Sequence, residues 1–368
     1  MIQFLINKSM WGNNMKKEMS CLSEMCLDEF VRYISDKKIF CFGCGIQGKR
    51  MAGILDNWGI QNNLVAYIDN DEKKIGSEYI YGGKAYKIVS MKEAIKCADG
   101  NSIILITAID YRSIYNQLSV YGYDMQRCIS IDEIARNQLE ISNYSDVIYE
   151  SKEKLIPKKI HYAWFGEEKP DLIKKNIEHW KELCPDYEFY EWNDTNYDIT
   201  KNKYMREAYE SKIWGFVSDY MRLDIIYKYG GIYLDTDIEM IKKPDELLYQ
   251  KCFASFDATF VMNLGSGFGA VAGMDIIKEL RDYYDTVSFV NKDGTYNKTS
   301  CNSHSYNVMK KYGVKVNDRL QNVHGMNIYP MIFQGACGHT NTIHVTNKTF
   351  WIHYGNLSWM KRELKNEQ

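Results

Sequence analysis

The stretch "KKIFCFGCGIQGKR", Lys37 to Arg50, sets a short apolar run, a glycine-spaced loop and a helix-forming segment in immediate succession. Gly43, Gly45 and Gly48 satisfy G-x-G-x-x-G directly after the strand, and Asp69 closes the next apolar run, "NLVAYIDN". In a parallel sheet such glycines allow a tight turn, close approach to a pyrophosphate and close helix packing, with an acid placed for a ribose hydroxyl. The alternation continues through a helix near "MKEAIK", the strand "SIILITA", a helix through "YRSIYNQLSVYG" and a strand near "CISI". Strand and helix by turns predict a parallel α/β sheet. No Tyr-x-x-x-Lys or other hydride-transfer pattern follows, so the fingerprint speaks for the fold more than for a cofactor. NAD, a nucleotide sugar and no ligand at all stay open for Gly43, Gly45, Gly48 and Asp69.

From Asn137 to Lys154 the chain turns polar and charged, with no core pattern, and the domain boundary is placed there: 1–150 and 151–368. A length of 368 residues suits two domains, each able to bury its own core. Lysine plus arginine is 46 against 48 aspartate plus glutamate, and residues 151–368 carry 29 of each sign. That balance argues against a nucleic-acid binder built on phosphate neutralisation. No apolar run reaches the roughly 18 residues of a membrane span, and the opening lacks the basic region and cleavage site of a signal peptide. A cytoplasmic protein is expected. The ten cysteines lack regular spacing and suit reduced core thiols, and the lone C-x-x-C, Cys41 and Cys44, has no second ligand pair nearby.

The second half opens with the strand "KKIHYAWFG", then a helix "PDLIKKNIEHWKELCP", a strand "YEFYEWND" and a long helix ending at Gly230. That helix carries Asp219 on its apolar face, where an unpaired charge is costly, with Arg222 one turn on as its neighbour. The double glycine then leads into "GGIYLDTDIEM". Read as a strand, this segment points Asp235 and Asp237 from one face, and two carboxylates that close call for a metal, a proton or a cationic side chain. The loop "NLGSGFGAVAG", Asn263 to Gly273, reads equally as an approach to a ligand or as a tight strand connection.

Ser218, Asp219, Arg222, the phrase "YKYGGIYLDTD" and the strand "IPKKIHYAWFG" resemble the glycosyltransferases with the DXD sugar-binding motif, family 32, from about Ile156 to Trp359. The segment is similar, more distantly, to the clostridial toxin glucosyltransferases. The resemblance implies a GT-A (nucleotide-diphospho-sugar transferase) domain after the Rossmann-like one, and transfer with retention of configuration. It implies that Asp237 binds a divalent metal and that Asp235 contacts ribose and metal. It further implies that Asp219 and Arg222 hold the donor sugar hydroxyls and that Trp164 lies beside the base. In "FWIHYGNLSWM" it makes His353 a further metal or diphosphate ligand and sets Trp359 near the leaving oxygen. The first domain resembles the small Rossmann modules of bacterial sugar-modifying enzymes.

A nucleoside diphosphate leaves only when its developing charge is neutralised, which a Mg or Mn ion on carboxylates achieves, and an imidazole ligand favours Mn. The other histidines, His161, His179, His304, His324, His339 and His344, show no competing ligand spacing and are expected in hydrogen-bonded structural roles. Retention by double displacement needs a carboxylate at the far face of the sugar, and the sequence offers no clear one. The activity that the resemblance implies is retaining, metal-dependent transfer from a nucleotide-sugar donor, UDP-linked by preference. The acceptor is a glycan or lipid-linked molecule in bacterial surface polysaccharide assembly, with peripheral inner-membrane association for a lipid-linked one. A non-catalytic nucleotide-sugar-binding assembly protein is the alternative. A phosphatase of the haloacid-dehalogenase type fits less well, since Ile238 and Glu239 depart from its D-x-D-x-[T/V] pattern.

Overall fold

Nearly continuous apolar runs build the centre of the first sheet. In the computed structural model, which describes residues 25–354 except 109, 143–145, 167, 258–259, 336–342 and 344, the chain divides into two units, Met1–Ile141 and Ser142–Gln368. The first unit runs α1 (Leu27–Ile34), β1 (Lys38–Phe42), α2 (Ile46–Asn57), β2 (Leu64–Ile68), β3 (Glu78–Tyr81) and β4 (Lys84–Val89). It continues with α3 (Met91–Cys97), β5 (Ser102–Ile106), α4 (Tyr111–Val120), β6 (Cys128–Ser130) and α5 (Ile131–Ser142). The sheet order is β3-β4-β2-β1-β5-β6, with every pairing parallel except the β3–β4 hairpin. Counting only the parallel strands, that is the 3-2-1-4-5 order of doubly wound sheets.

β5 is buried along its whole length, as a central parallel strand must be. Phe40, Phe42, Ile104, Ile106 and Leu118 share one core, each worth about 1.5–3 kcal/mol on burial. The Ser90 hydroxyl accepts from Glu93 N–H while the Glu93 carboxylate accepts from Ser90 N–H, a reciprocal cap that starts α3. Helix α5 runs on to Ser142, into the polar segment 137–154 that shows no core pattern in sequence.

The second unit contains β7 (Lys159–Ala163), α6 (Asp171–Leu183), β8 (Glu188–Trp192), α7 (Lys203–Glu210), α8 (Trp214–Tyr229), β9 (Gly231–Tyr233) and β10 (Ile238–Met240). After these come β11 (Cys252–Phe256), β12 (Met262–Asn263), β13 (Phe268–Ala270), α9 (Asp275–Asp282), α10 (Cys301–Met309), β14 (Gln321–Val323), β15 (Met326–Tyr329) and β16 (Trp351–His353). An eight-stranded mixed sheet runs β14-β15-β11-β13-β9-β7-β8, with β12 on β11, while β10 and β16 pair antiparallel beside it. β7 is parallel to both β8 and β9, so their carboxyl ends share one edge. The protein is thus a mixed α/β chain with parallel-rich sheets.

Helix α8 is buried from Phe216 to Leu223, a fuller burial than the single apolar face that its sequence suggests. His161 fastens its exit. The Trp192 indole N–H donates to His161 Nδ1 at 3.2 Å, so His161 Nε2 carries the proton and donates to Gly230 O at 3.0 Å.

Candidate functional site

The two aspartates do not lie on a strand. β9 ends at Tyr233, and Asp235 O accepts from Ile238 N–H at 3.3 Å, so Asp235 to Asp237 form a turn between β9 and β10. The alternation of apolar and polar residues that reads as one strand is broken there, and the carboxylates converge through the turn rather than through strand periodicity. Three anchors fix the turn. Leu234 N–H donates to His161 O, Asn176 Nδ2 donates to Thr236 O, and Tyr354 N–H donates to Asp237 O.

Pairing of β10 with β16 sets His353 opposite Ile238 and delivers its imidazole to the same turn. Nε2 lies 3.3 Å from Asp237 Oδ1, and one ligand atom from each of Asp235, Asp237 and His353 falls within 4.8 Å of the other two. Two carboxylates and an imidazole are a donor set that suits Mn2+ or a similar divalent ion. Burial would pull His353 down, but the facing carboxylates of Asp237, Asp235 and Asp257 outweigh it and raise its pKa.

Arg222 joins this turn to α8. Its Nη2 lies 3.1 Å from Asp219 Oδ1 and 3.4 Å from Asp235 Oδ1, and it donates to Ser218 Oγ at 2.7 Å. The guanidinium is 3% exposed, and Nη1 has no hydrogen-bond partner among the described residues. Burial pushes Asp219 up to about 7, against the pull of Arg222 and with a further push from Asp235. Asp235 is likewise raised, first by burial and then by Asp237, with Arg222 opposing.

The glycine-rich loop closes over the pair. A Cβ on Gly265 would stand 2.7 Å from Asp235 Oδ2 and 2.9 Å from Arg222 Nη1, so the backbone approaches this site as only glycine permits. Asn263 Oδ1 accepts from Gly265 N–H and Ser266 N–H and fixes the loop. Trp164, half-buried, follows the carboxyl end of β7, and its N–H donates to Trp192 O. It shares the strand-end edge from which Asp235 emerges. Trp359 lies outside the described residues. A cavity of about 480 Å³ opens between α6 and the turn, with Lys175, His179, Asp237 and Tyr354 in its lining.

In the first unit the glycine loop is built as its spacing predicts. Gly43 has φ +105°, Gly45 caps α2, and a Cβ on Gly48 would collide with Gly43 O at 1.7 Å. Asp69 is engaged by the loop itself: it accepts from Cys44 N–H at 2.8 Å, Asp71 N–H at 2.9 Å and Lys74 Nζ at 3.0 Å. Burial would raise its pKa, but these donors hold it below the usual carboxylate range. Cys41 and Cys44 are free, buried thiols, both raised by burial.

Sequence reading did not single out Asp257, just after β11, or Cys301, whose thiol donates to Asn302 Oδ1 at 3.3 Å and lies near enough to Asp219 to oppose the rise of its pKa. Neither belongs to a local motif. Each reaches the site through strand order and helix placement.

Residues 170–254 match the model of the family described as "Glycosyltransferase sugar-binding region containing DXD motif". Asp219, Arg222, Asp235 and Asp237 all fall within the matched residues. The chain is 34% identical over 110 residues to "Inositol phosphoceramide mannosyltransferase 3" of Schizosaccharomyces pombe, covering 29% of this chain and 31% of that one. It is 31% identical over 177 residues to "Mannosyl phosphorylinositol ceramide synthase CSH1" of Saccharomyces cerevisiae, covering 44% and 46%. The chain thus spans a third to a half of the length of these curated relatives, whose names are those of sugar-transferring enzymes. The solved structure "PaToxG Glycosyltransferase" overlaps 40% of this chain and 67% of its own, at 17% identity and a TM-score of 0.32, too loose a likeness to bear on the fold.

Proposed function

We propose that the second unit is a metal-dependent glycosyltransferase of the GT-A type that moves a sugar from a nucleoside diphosphate donor to a hydroxyl of a glycan or lipid-linked acceptor. The observation that carries this reading is the convergence of Asp235, Asp237 and His353 within 4.8 Å, with Arg222 spanning Asp219 and Asp235 behind them. Asp235, Asp237 and His353 would hold a divalent ion, which when bound neutralises charge developing on the leaving diphosphate. Arg222 keeps its charge because Asp235 and Asp219 outweigh the burial that opposes it, and its unpartnered Nη1 is available to a ligand oxygen. Asp219 accepts from sugar hydroxyls, Trp164 flanks the base, and the edge shared by the carboxyl ends of β7, β8 and β9 receives the nucleotide.

A lipid-linked acceptor takes support from the names of the fungal relatives, which carry mannosyl transfer to inositol phosphoceramide. A surface-polysaccharide acceptor, retention of configuration and a UDP-linked donor rest on the sequence resemblance. The first unit, by its strand order and glycine loop, is a Rossmann-like accessory module in which Asp69 braces the loop.

The test is donor hydrolysis with a panel of UDP- and GDP-sugars, a mannosyl donor among them, in Mn2+. Release of nucleoside diphosphate from one donor, abolished by EDTA and by Asp237→Ala, is the expected result. Absence of metal-dependent binding to the whole panel in calorimetry would return the chain to the non-catalytic alternative.

A further inference from the structure

Leu172, Lys175, Asn176 and His179 recur at i, i+3, i+4 and i+7, so they share one face of α6, and that face forms a wall of the cavity of about 480 Å³ beside the aspartate turn. Side chains of α6 stitch this wall to the backbone of the turn and of β10. Asn176 Nδ2 donates to Thr236 O at 3.2 Å, Trp180 Nε1 donates to Ile238 O at 3.1 Å, and His179 Nε2 lies 2.9 Å from Met240 O. A carbonyl only accepts, so Nε2 carries the proton of the neutral imidazole and Nδ1 keeps its lone pair. Neither Nδ1 nor Asn176 Oδ1 has a hydrogen-bond partner among the described residues. Lys175 makes no ion pair or hydrogen bond among them either, unlike its neighbour Lys174, which pairs with Glu168. Leu172, 61% exposed, adds an apolar edge. On the facing side the Tyr354 hydroxyl is spent on Glu239.

We propose that this cavity is the acceptor site and takes a neutral polyol ring, a sugar or a cyclitol, with one hydroxyl donating to His179 Nδ1 and another accepting from Lys175. The proposal rests on the glycosyltransferase reading above and names the acceptor class for it. Asp237 belongs both to the proposed ion site and to the lining of the cavity, so an occupant stands beside the centre where the diphosphate leaves. Each hydroxyl both gives and accepts, which matches one free donor, Lys175, and two free acceptors, Nδ1 and Asn176 Oδ1. A phosphate or carboxylate in the same place has no proton for either acceptor and sets its oxygens against their lone pairs.

The test uses the donor that the panel identifies, in Mn2+, with methyl α-mannoside, methyl β-galactoside, myo-inositol and the anionic mannose 6-phosphate as probes. Acceptor KM and kcat are read from nucleoside diphosphate release and from the mass of the glycosylated product. Binding of each probe is followed separately by ligand-observed NMR. The proteins are the full-length wild type, His179→Gln, His179→Asn and Lys175→Met, with thermal midpoints to show that each is folded. Glutamine imitates Nε2 and keeps the tie to Met240 O but offers nothing at Nδ1, whereas asparagine places an oxygen where Nδ1 stood and gives up the tie. The wild type is expected to glycosylate at least one neutral probe and to bind it better than mannose 6-phosphate. KM and the NMR affinity for that probe should weaken about 10-fold in His179→Gln and in Lys175→Met, with kcat moving far less, while His179→Asn recovers most of the loss. The reverse order, with His179→Gln like the wild type and His179→Asn impaired, would show that the imidazole serves only to hold α6 to β10, and overturns the proposal. So does a loss of donor affinity in place of probe affinity, or donor turnover with no response to any neutral probe. A wild type that neither binds nor turns over any donor overturns the glycosyltransferase reading itself.

Discussion

At the residue scale the decisive contact is between a backbone and two charged side chains. Gly265 lies where a single methyl group would press on the Asp235 carboxylate at 2.7 Å and the Arg222 guanidinium at 2.9 Å. Its φ is ordinary, so the constraint is space, and alanine can adopt the local backbone. Gly265→Ala should therefore leave the thermal midpoint nearly unchanged while displacing the two side chains that the proposed donor touches. A misplacement of about 1 Å in such a site costs roughly 100-fold. Steady-state donor hydrolysis in saturating Mn2+ checks this, and a variant with wild-type rates would show that the loop does not shape the donor site. Arg222 and Asp219 were legible in the sequence because one turn of helix separates them and both fall where apolar residues surround them. Gly265 was legible only as part of a glycine-rich loop with two readings, since nothing local says which side chains it approaches.

At the element scale two buried histidines couple strand β7 and helix α10 to pH. Burial lowers His161 and His304 from 6.5 to about 4. Between those values the unfolded chain binds protons that the folded chain refuses, so each histidine makes stability fall as pH falls, by up to about 1.4 kcal/mol per pH unit. Asp219, raised from 3.8 to about 7, acts in the opposite sense, because the folded state holds its proton across most of that window. The net slope mixes these, but a difference isolates one group. His304 is ringed by Tyr204, Tyr283 and Tyr284, and neither of its nitrogens has a hydrogen-bond partner among the described residues. His304→Phe should therefore be progressively more stable than the wild type as pH falls from 6.5 towards 4. Urea midpoints at pH 7, 6 and 5 check it, and parallel curves for the two proteins would mean that His304 does not titrate as its burial demands. The same two residues show where sequence reading runs out. His161 takes the structural, hydrogen-bonded role expected of it, yet the partners that fix its tautomer come from Trp192 on β8 and Gly230 after α8. His304 was expected to be hydrogen-bonded and instead packs on aromatic faces. β1, β2, β5 and α8 were readable from their own patterns, whereas α5 and the β3–β4 hairpin were not. The D-x-D segment misled because its alternation mimics a strand, and only the β10–β16 pairing, far apart in sequence, reveals the turn.

At the scale of the whole molecule, each of the two units has its own sheet, and the proposed ion belongs to one of them. The first unit hangs on β1, β2 and β5, the second on strands that end at the aspartate turn and on the β10–β16 pair. No described helix is long and apolar enough to cross a membrane. A ligand that binds only the folded form raises the free energy of every opening that destroys its site and of no other. Mn2+ at 100 times its dissociation constant adds about 2.7 kcal/mol to such openings, roughly a 100-fold slowing of hydrogen exchange. The amides of β9, β10 and β16 should gain that protection, while β1, β2 and β5 exchange at the same rate with or without the ion. Asp237→Ala should erase the gain in β10 and β16 together, because Asp237 leads directly into β10 and His353 lies on β16, which pairs with it. Equal protection of both sheets would mean that the ion acts on the chain as a whole rather than through the three converging side chains, and protection of the first sheet alone would move the metal to the wrong unit.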